Sequence, residues 1–327
     1  MALPVVTPGR RRRRRWGPHA LTAFLLVAAL VAAAWHEWPR SDASEHSARS
    51  YSESGRTTIP RLSTRRARSE PVLVAEGEDP SLHRFRPALT ARAAILVDAA
   101  TGGVVWAKRA HRRLPIASLT KIMTAVVARE TVRNGDFVTV TRGVPRVEPI
   151  REGLRVGERV PAWKLFYGLI LFSGNDDARA LAFASDGSEH AFVERMNRKA
   201  GQLGLRDTRF SNSSGAVDRG NYSTPWDLAA LTRVALHDSF LRAVARTRRK
   251  RVRWASPTFS KIYVNKNRLL TTYRGADGVK TGWTTKAQHC LVASAHRRGV
   301  HLIAVVLGSR DSFKDATRLL NYGFAAR

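Results

Sequence analysis

A single cysteine, Cys290, in 327 residues excludes an internal disulfide and any cysteine-based metal cluster. It sits in the apolar run Cys290-Leu291-Val292-Ala293, where a buried structural thiol is expected. Acidic residues are scarce: 26 Asp and Glu stand against 56 Lys and Arg, a formal charge of +30. The imbalance is not confined to one tail, because residues 1–90 hold 15 basic and 8 acidic side chains and the remainder holds 41 and 18. Such a charge suits polyanionic surroundings: nucleic acid, anionic lipid or anionic wall polymer. No internal repeat is present, which excludes a solenoid. The one long apolar run, Ala20 to Trp35, has 16 residues and falls between a signal-peptide core and a full span of about 20.

Six arginines, Arg10 to Arg15, precede that run and place its N-terminal side in the cytoplasm. Ala32-Ala33-Ala34 offers a signal-cleavage site, whereas Trp35 and Trp38 suit the interface of an uncleaved anchor. Residues 39–88 are rich in Ser, Arg, Glu and Pro and poor in large apolar side chains, the composition of a disordered tether. The expected organisation is a basic cytoplasmic N-terminus (1–19), a membrane anchor or uncleaved signal segment (20–38), a disordered linker (39–90) and a folded domain (91–327).

Within the domain, Ala93–Val97 and Val104–Trp106 flank Thr101-Gly102-Gly103, a β-hairpin pattern. Phe137–Val140 reads as a short strand, and helices are expected from Pro161 to Phe172, over 176–185 and over 189–203. Thr224-Pro225-Trp226-Asp227 combines an N-cap, a proline at the first helical position and an acid at N3, opening a helix to about Leu236. Ile262–Val264, Cys290–Ala295 and His301–Leu307 read as strands, followed by a helix over about 312–322. Strands at both ends and helices between them predict an α+β fold, with an antiparallel sheet assembled from the two ends and a helical insert.

The chemistry centres on Pro115–Thr124. Ser118 and Lys121 open an apolar run, Leu119 to Val127, free of Pro and Gly, which reads as a buried helix starting near Ser118. Residues three apart share a helix face, so the Lys121 amine reaches the Ser118 hydroxyl. A hydroxyl, an amine and the unpaired N–H groups of a helix start are the parts of an activated nucleophile. A capping serine followed by a solvated lysine is the plainer possibility, although an ammonium among Leu119, Ile122 and Met123 is costly to bury unpaired.

Ser173-Gly174-Asn175 and Lys280-Thr281-Gly282 follow in order. Ser-x-x-Lys, Ser-x-Asn and Lys-Thr-Gly in this sequence are the signature of penicillin-binding proteins and serine β-lactamases. The chain most resembles the D-Ala-D-Ala carboxypeptidases of low molecular mass, the S11 serine peptidases, across the whole domain. Phe192-Val193-x-x-Met196-Asn197, Leu203-Gly204-Leu205, Tyr222-Ser223-Thr224 with Asp227-Leu228-Ala229, and Gly278-x-Lys280-Thr281-Gly282 with Thr284 carry the same resemblance.

The resemblance implies a β-lactamase/transpeptidase-like fold, a five-stranded antiparallel sheet flanked by helices with an all-α subdomain. It implies removal of the terminal D-alanine from a peptidoglycan pentapeptide through an acyl-enzyme on Ser118. Lys121 would be the base, its pKa depressed by burial and by Lys280. The N–H groups of Ser118 and Trp283 would form the oxyanion hole, with Gly282 beside them. Ser173 would pass a proton to the leaving amine, Asn175 would bind the substrate amide and hold Lys121, and Lys280 and Thr281 would bind the terminal carboxylate. No metal or other cofactor is expected; β-lactams are expected as inhibitors, and the chain as a monomer in the bacterial cell membrane, its domain extracytoplasmic, or secreted if the signal is cleaved.

Some positions depart from the family pattern. Asn221 stands where the family has His before Tyr-Ser-Thr, and no role is assigned to it. Ser312 stands where many members carry a carboxylate-binding arginine, leaving Arg310 as a substitute two residues upstream. The chain ends after its last predicted helix, so membrane attachment is expected from residues 20–35 rather than from a C-terminal anchor.

Three further functions compete with the carboxypeptidase. A β-lactamase of class A needs Glu-x-x-x-Asn, and Glu194-x-x-Asn197 has the wrong spacing. A D,D-endopeptidase would share the fold and the motifs. A non-catalytic basic wall-binding protein would need the charge alone and leaves the three motifs unexplained. The basic run Arg246 to Arg253 resembles a nucleic-acid patch, but in an exported protein it is read as a solvated, charge-protected strand edge, and no nucleic-acid partner is expected.

Overall fold

Strands from the two ends of the domain come together in one sheet. The computed structural model describes residues 87–216, 220–253 and 260–326. The expected cytoplasmic segment, anchor and almost all of the linker lie outside the described residues. Among the described residues no helix is long and apolar enough to cross a membrane.

β1 (Ala93–Asp98) and β2 (Val104–Lys108) form the expected hairpin. Asp98 Oδ1 closes its turn by accepting the amides of Ala100 and Thr101 at 2.9 and 3.0 Å. The short β3 (Leu114–Pro115) leads to a 3-10 turn, Ala117–Leu119, and then α1 (Thr120–Arg129). The helix therefore starts two residues after Ser118, which lies in the turn. β4 (Phe137–Thr139) pairs with β5 (Arg159–Pro161). α2 (Ala162–Tyr167) runs into a π-helical segment, Gly168–Phe172, followed by α3 (Asn175–Asp186) and α4 (Glu189–Gln202). β6 (Tyr222–Ser223) pairs with β3. α5 (Pro225–His237) starts as the sequence predicts, with Thr224 Oγ1 accepting the Asp227 amide at 3.1 Å. α6 (Ser239–Ala245), the hairpin β7 (Arg249–Arg253) and β8 (Ser260–Val264), and α7 (Leu269–Thr272) follow. β9 (Ala276–Thr284), β10 (Gln288–Arg297), β11 (Val300–Ser309) and α8 (Ser312–Ala325) complete the described chain.

The main sheet has the order β2-β1-β11-β10-β9 and is antiparallel at every pairing. Both of its faces are covered. Ala94 and Leu96 point to one side, with Leu319 and Leu320 of α8; Ala93, Ile95 and Val97 point to the other, into a cluster that includes α1 and α5. This explains why β10 and β11 read as unbroken apolar runs rather than as alternating ones. Gly323 lets α8 sit close: a Cβ there would lie 2.6 Å from Leu96 Cδ2 and 2.7 Å from Leu302 Cδ1. α1 is buried from Thr120 through Ala128. A helix enclosed on all sides has no solvated face, so its polar residues, Thr120, Lys121 and Thr124, must find partners inside the protein. Cys290 is a buried thiol, with Sγ contacts of 3.8 and 3.6 Å to the carbonyls of Pro115 and Ala287.

Candidate active site

The partners of those buried polar groups form the site. Lys121 and Lys280 are 0% and 1% exposed, among the largest fully buried side chains of the protein. Lys121 Nζ donates to Ser118 Oγ at 3.1 Å, to Asn175 Oδ1 at 2.8 Å and to the Ser214 carbonyl at 2.7 Å. All three acceptors are uncharged. Burial without a hydrogen-bonded carboxylate disfavours the ammonium and brings the Lys121 pKa down to about 7. Asp177 and Asp176 oppose that effect, and the charge of Lys266 adds to it. Lys266 thus joins Lys280 as a like charge that disfavours the Lys121 ammonium.

Lys280 Nζ donates to Ser173 Oγ and to the Thr281 carbonyl, both at 3.0 Å. Burial, then the charges of Lys121 and Lys266, push the Lys280 pKa well below its ordinary value. Ser118–Lys121 and Ser173–Lys280 are therefore two serine–lysine pairs, joined through the Ser173-Gly174-Asn175 turn.

That turn has an uncommon backbone. The π-helical segment before it ends with the amide of Ser173 donating to the Gly168 carbonyl at 2.8 Å, and Ser173 itself takes φ of 71°. A non-glycine residue in the left-handed region is strained, and π segments recur at functional sites. Gly174 is required behind it, since a Cβ there would fall 1.9 Å from Asp177 Oδ2. Burial and the neighbouring Glu152 and Asp176 raise the Asp177 carboxyl well above the usual range. Asp176 accepts the amides of Glu152, Gly153 and Leu154 at 2.8, 2.8 and 3.1 Å, fixing the adjoining loop. That loop supplies the carbonyls of Glu148 and Pro149, which accept from Asn175 Nδ2 at 3.3 and 2.8 Å. With its oxygen on Lys121 and its amino group on the main chain, the Asn175 side chain is a clamp on Lys121.

Gly282 brings β9 against the Ser118 turn: a Cβ there would be 3.0 Å from the Ile116 carbonyl and 3.2 Å from the Ser118 amide. Trp283, the next residue, is 60% exposed at the rim. Arg310 follows the end of β11, which is separated from β9 by β10. Its amide donates to Thr90 Oγ1 at 3.2 Å and its side chain is exposed, with no hydrogen bond to Ser118, Lys121 or Lys280 among the described residues.

Three features of the site were not legible in the sequence. The Ser214 carbonyl holds Lys121, and Gly215, at φ of 70°, packs so tightly that a Cβ would lie 2.0 Å from the Ala117 carbonyl. Asn221 braces this loop: its Oδ1 accepts from the amide of Ser211, and its Nδ2 donates to Thr120 Oγ1 at 3.0 Å. Lys266, whose ammonium lies 5.2 Å from the centre of the Phe172 ring, is the third cation of the cleft. The turn-rich composition of Ser211–Gly215 and the polar Asn221 were the only signals available. A β-lactamase finds no support at its candidate pair. Asn197 Nδ2 donates to the carbonyls of Val193 and Phe210 at 3.0 and 2.9 Å, and Glu194 lies on the outer face of α4, pairing with His190 and Arg198.

A serine held by a buried lysine, between an antiparallel sheet and a group of helices, defines the class of serine hydrolases with the DD-peptidase fold. The match of D-alanyl-D-alanine carboxypeptidase, the S11 peptidase family, covers residues 81–311, and the chain belongs to that family. It is 34% identical over 244 residues to D-alanyl-D-alanine carboxypeptidase DacF of Bacillus subtilis, covering 72% of this chain and 62% of that protein. The chain thus spans less than two thirds of the Bacillus protein's length. It is 36% identical over 270 residues to the D-alanyl-D-alanine carboxypeptidase of Streptomyces sp. strain K15, with 76% of this chain and 92% of that protein covered. Its fold superposes on the crystal structure of the Streptomyces K15 DD-transpeptidase with a TM-score of 0.69 at 33% identity, covering 74% of this chain and 99% of that one.

Proposed function

We propose that the chain is a serine-type D-Ala-D-Ala carboxypeptidase that removes the terminal D-alanine of peptidoglycan stem peptides. The observation that carries this reading is Lys121: a fully buried amine 3.1 Å from Ser118 Oγ, held by uncharged acceptors and brought down to a pKa of about 7. At neutral pH a large fraction of it is a free amine, able to take the Ser118 proton as Oγ attacks the carbonyl of the penultimate D-alanine. The tetrahedral oxyanion would be met by the Ser118 and Trp283 N–H groups, which Gly282 brings close together. Ser173, bonded to Lys280, would return a proton to the departing amine, and water would then hydrolyse the Ser118 ester. An incoming carboxylate would favour the charged form of Lys280, which burial disfavours. Thr281 would add a hydroxyl donor to the same carboxylate.

Residues 20–35 would hold the protein in the membrane, residues 39–90 would space the domain from it, and the domain would work outside the cytoplasm. β-Lactams would acylate Ser118. A likeness to the D-alanyl-D-alanine endopeptidase of Pseudomonas aeruginosa, 30% identical over 237 residues, supports a second reading, cleavage of crosslinked peptides. Intact mass after incubation with penicillin, followed by digestion of pentapeptide and crosslinked muropeptides, tests both. The expected result is a long-lived single adduct on Ser118 and release of D-alanine from the pentapeptide. Cleavage confined to crosslinked muropeptides would favour the second reading, and absence of an adduct would overturn both.

A further inference from the structure

The basic run that the catalytic reading leaves unused forms β7, and its side chains alternate. Lys250 turns inward, its ammonium 5.7 Å from the ring centre of Trp163 and 5.1 Å from that of Tyr167. Val252 is buried, and its cross-strand partner Lys261 reaches inward to the Glu152 carbonyl at 2.8 Å. Tyr263 hydrogen-bonds Glu152 from the same inner face, and Lys164 donates to the Arg253 carbonyl. The hairpin is thus fastened to the domain by its inner face and cannot swing freely.

The outer face is different. Arg249, Arg251 and Arg253 all point outward and are exposed, opposite Val264, Ile262 and Ser260 in the register. Among the described residues no carboxylate, hydrogen-bond partner or aromatic ring engages these three guanidinium groups. Alternate residues of a strand lie about 6.6–6.8 Å apart, so the groups form a straight ladder. A guanidinium is a planar fork that matches phosphate oxygens in pairs and stays charged at any physiological pH. A linear three-carbon polyol phosphodiester places its charges at a similar separation. Ile262 and Val264, 45% and 57% exposed, would flank its carbon units. The outer face presents no aromatic side chain among the described residues, and it is stacking on such side chains that single-stranded nucleic acid uses.

We propose that the outer face of the β7–β8 hairpin is a docking surface for a linear phosphodiester-linked wall polymer, gripped by Arg249, Arg251 and Arg253. The same hairpin braces, through Glu152, the loop that carries the Asn175 acceptors.

The test compares binding of the full chain to poly(glycerol phosphate) with that of Arg249→Ser/Arg251→Ser/Arg253→Ser. A control variant removes three exposed arginines elsewhere, Arg112, Arg206 and Arg298. Labelling by a fluorescent penicillin reports folding. The ladder variant is expected to bind at least about tenfold more weakly, with the slope of log affinity against log salt shallower by about two, three contacts at roughly 0.7 each. The control is expected to lose much less. Equal losses in both variants would reduce the effect to net charge and overturn the proposal. So would binding to anionic vesicles or to an oligonucleotide but not to the polymer, or an unchanged affinity in a ladder variant that still labels with penicillin.

Discussion

Two sets of cations in this domain are handled in opposite ways. Lys121 and Lys280 are enclosed, each held by neutral acceptors, and both pKa values are driven down. Arg249, Arg251 and Arg253 stand in solvent on a strand fastened from behind. The difference follows from the side chains. An amine loses its proton when desolvated and so becomes a base, whereas a guanidinium keeps its charge and serves only to bind. The cleft should therefore respond steeply to pH and to single substitutions, and the hairpin to salt.

The largest effects should come from the cleft. Ser118→Ala should abolish the penicillin adduct and lower D-alanine release by at least about 10³-fold, read by intact mass and product assay. Lys121→Met keeps the nucleophile but removes the base, and its acylation rate should fall by about 10²–10⁴-fold. Survival of near-normal acylation in that variant would remove the distinction between the two sets of cations. Gly215→Ala comes next. Its Cβ would meet the Ala117 carbonyl at 2.0 Å, so the main chain must move and carry the Ser214 carbonyl off Lys121. Lower thermal stability together with slower acylation is the expected result.

A smaller effect sharpens the comparison. Lys266→Met takes a like charge from beside Lys121, and loss of a positive neighbour raises an amine pKa. The acylation profile should move to higher pH with its plateau kept, so the variant is slow only on the acid side. A shift to lower pH would contradict the assigned electrostatics. The smallest effect is expected from the hairpin. Arg249→Ser/Arg251→Ser/Arg253→Ser should acylate within about twofold of the parent, since sites without shared partners act independently.

Much of this arrangement was legible beforehand, and the failures have physical causes. The Ser118–Lys121 pair, the Thr224 cap and strands β1, β10 and β11 carry local signals: a spacing, a capping pattern, an unbroken apolar run. β9 escaped the periodicity reading because Ala276–Thr284 contains two glycines and a lysine whose burial only the finished cleft explains. β7 was legible only as a charge-protected strand edge: four of its five residues are basic, and Val252 alone hints at the inward face. The Ser214 carbonyl, the π turn before Ser173 and the backbone acceptors of Asn175 belong to the main chain, which side-chain motifs do not report. Lys266 lies outside all three motifs, and only folding brings its charge to bear on Lys121. Arg310 was chosen by proximity in sequence to a missing arginine, and its exposed side chain makes no hydrogen bond to the cluster among the described residues.

The central claim is that Lys121 works as a free amine, and the pH dependence of acylation tests it most directly. Sign and window follow from its pKa of about 7: the neutral fraction grows as pH rises through that value. The second-order rate of acylation of the full chain by penicillin, measured from about pH 5 to about pH 9, should rise along a single limb with its midpoint near 7 and then level off. A midpoint near the ordinary lysine value, or a rate flat across the whole interval, would contradict the account.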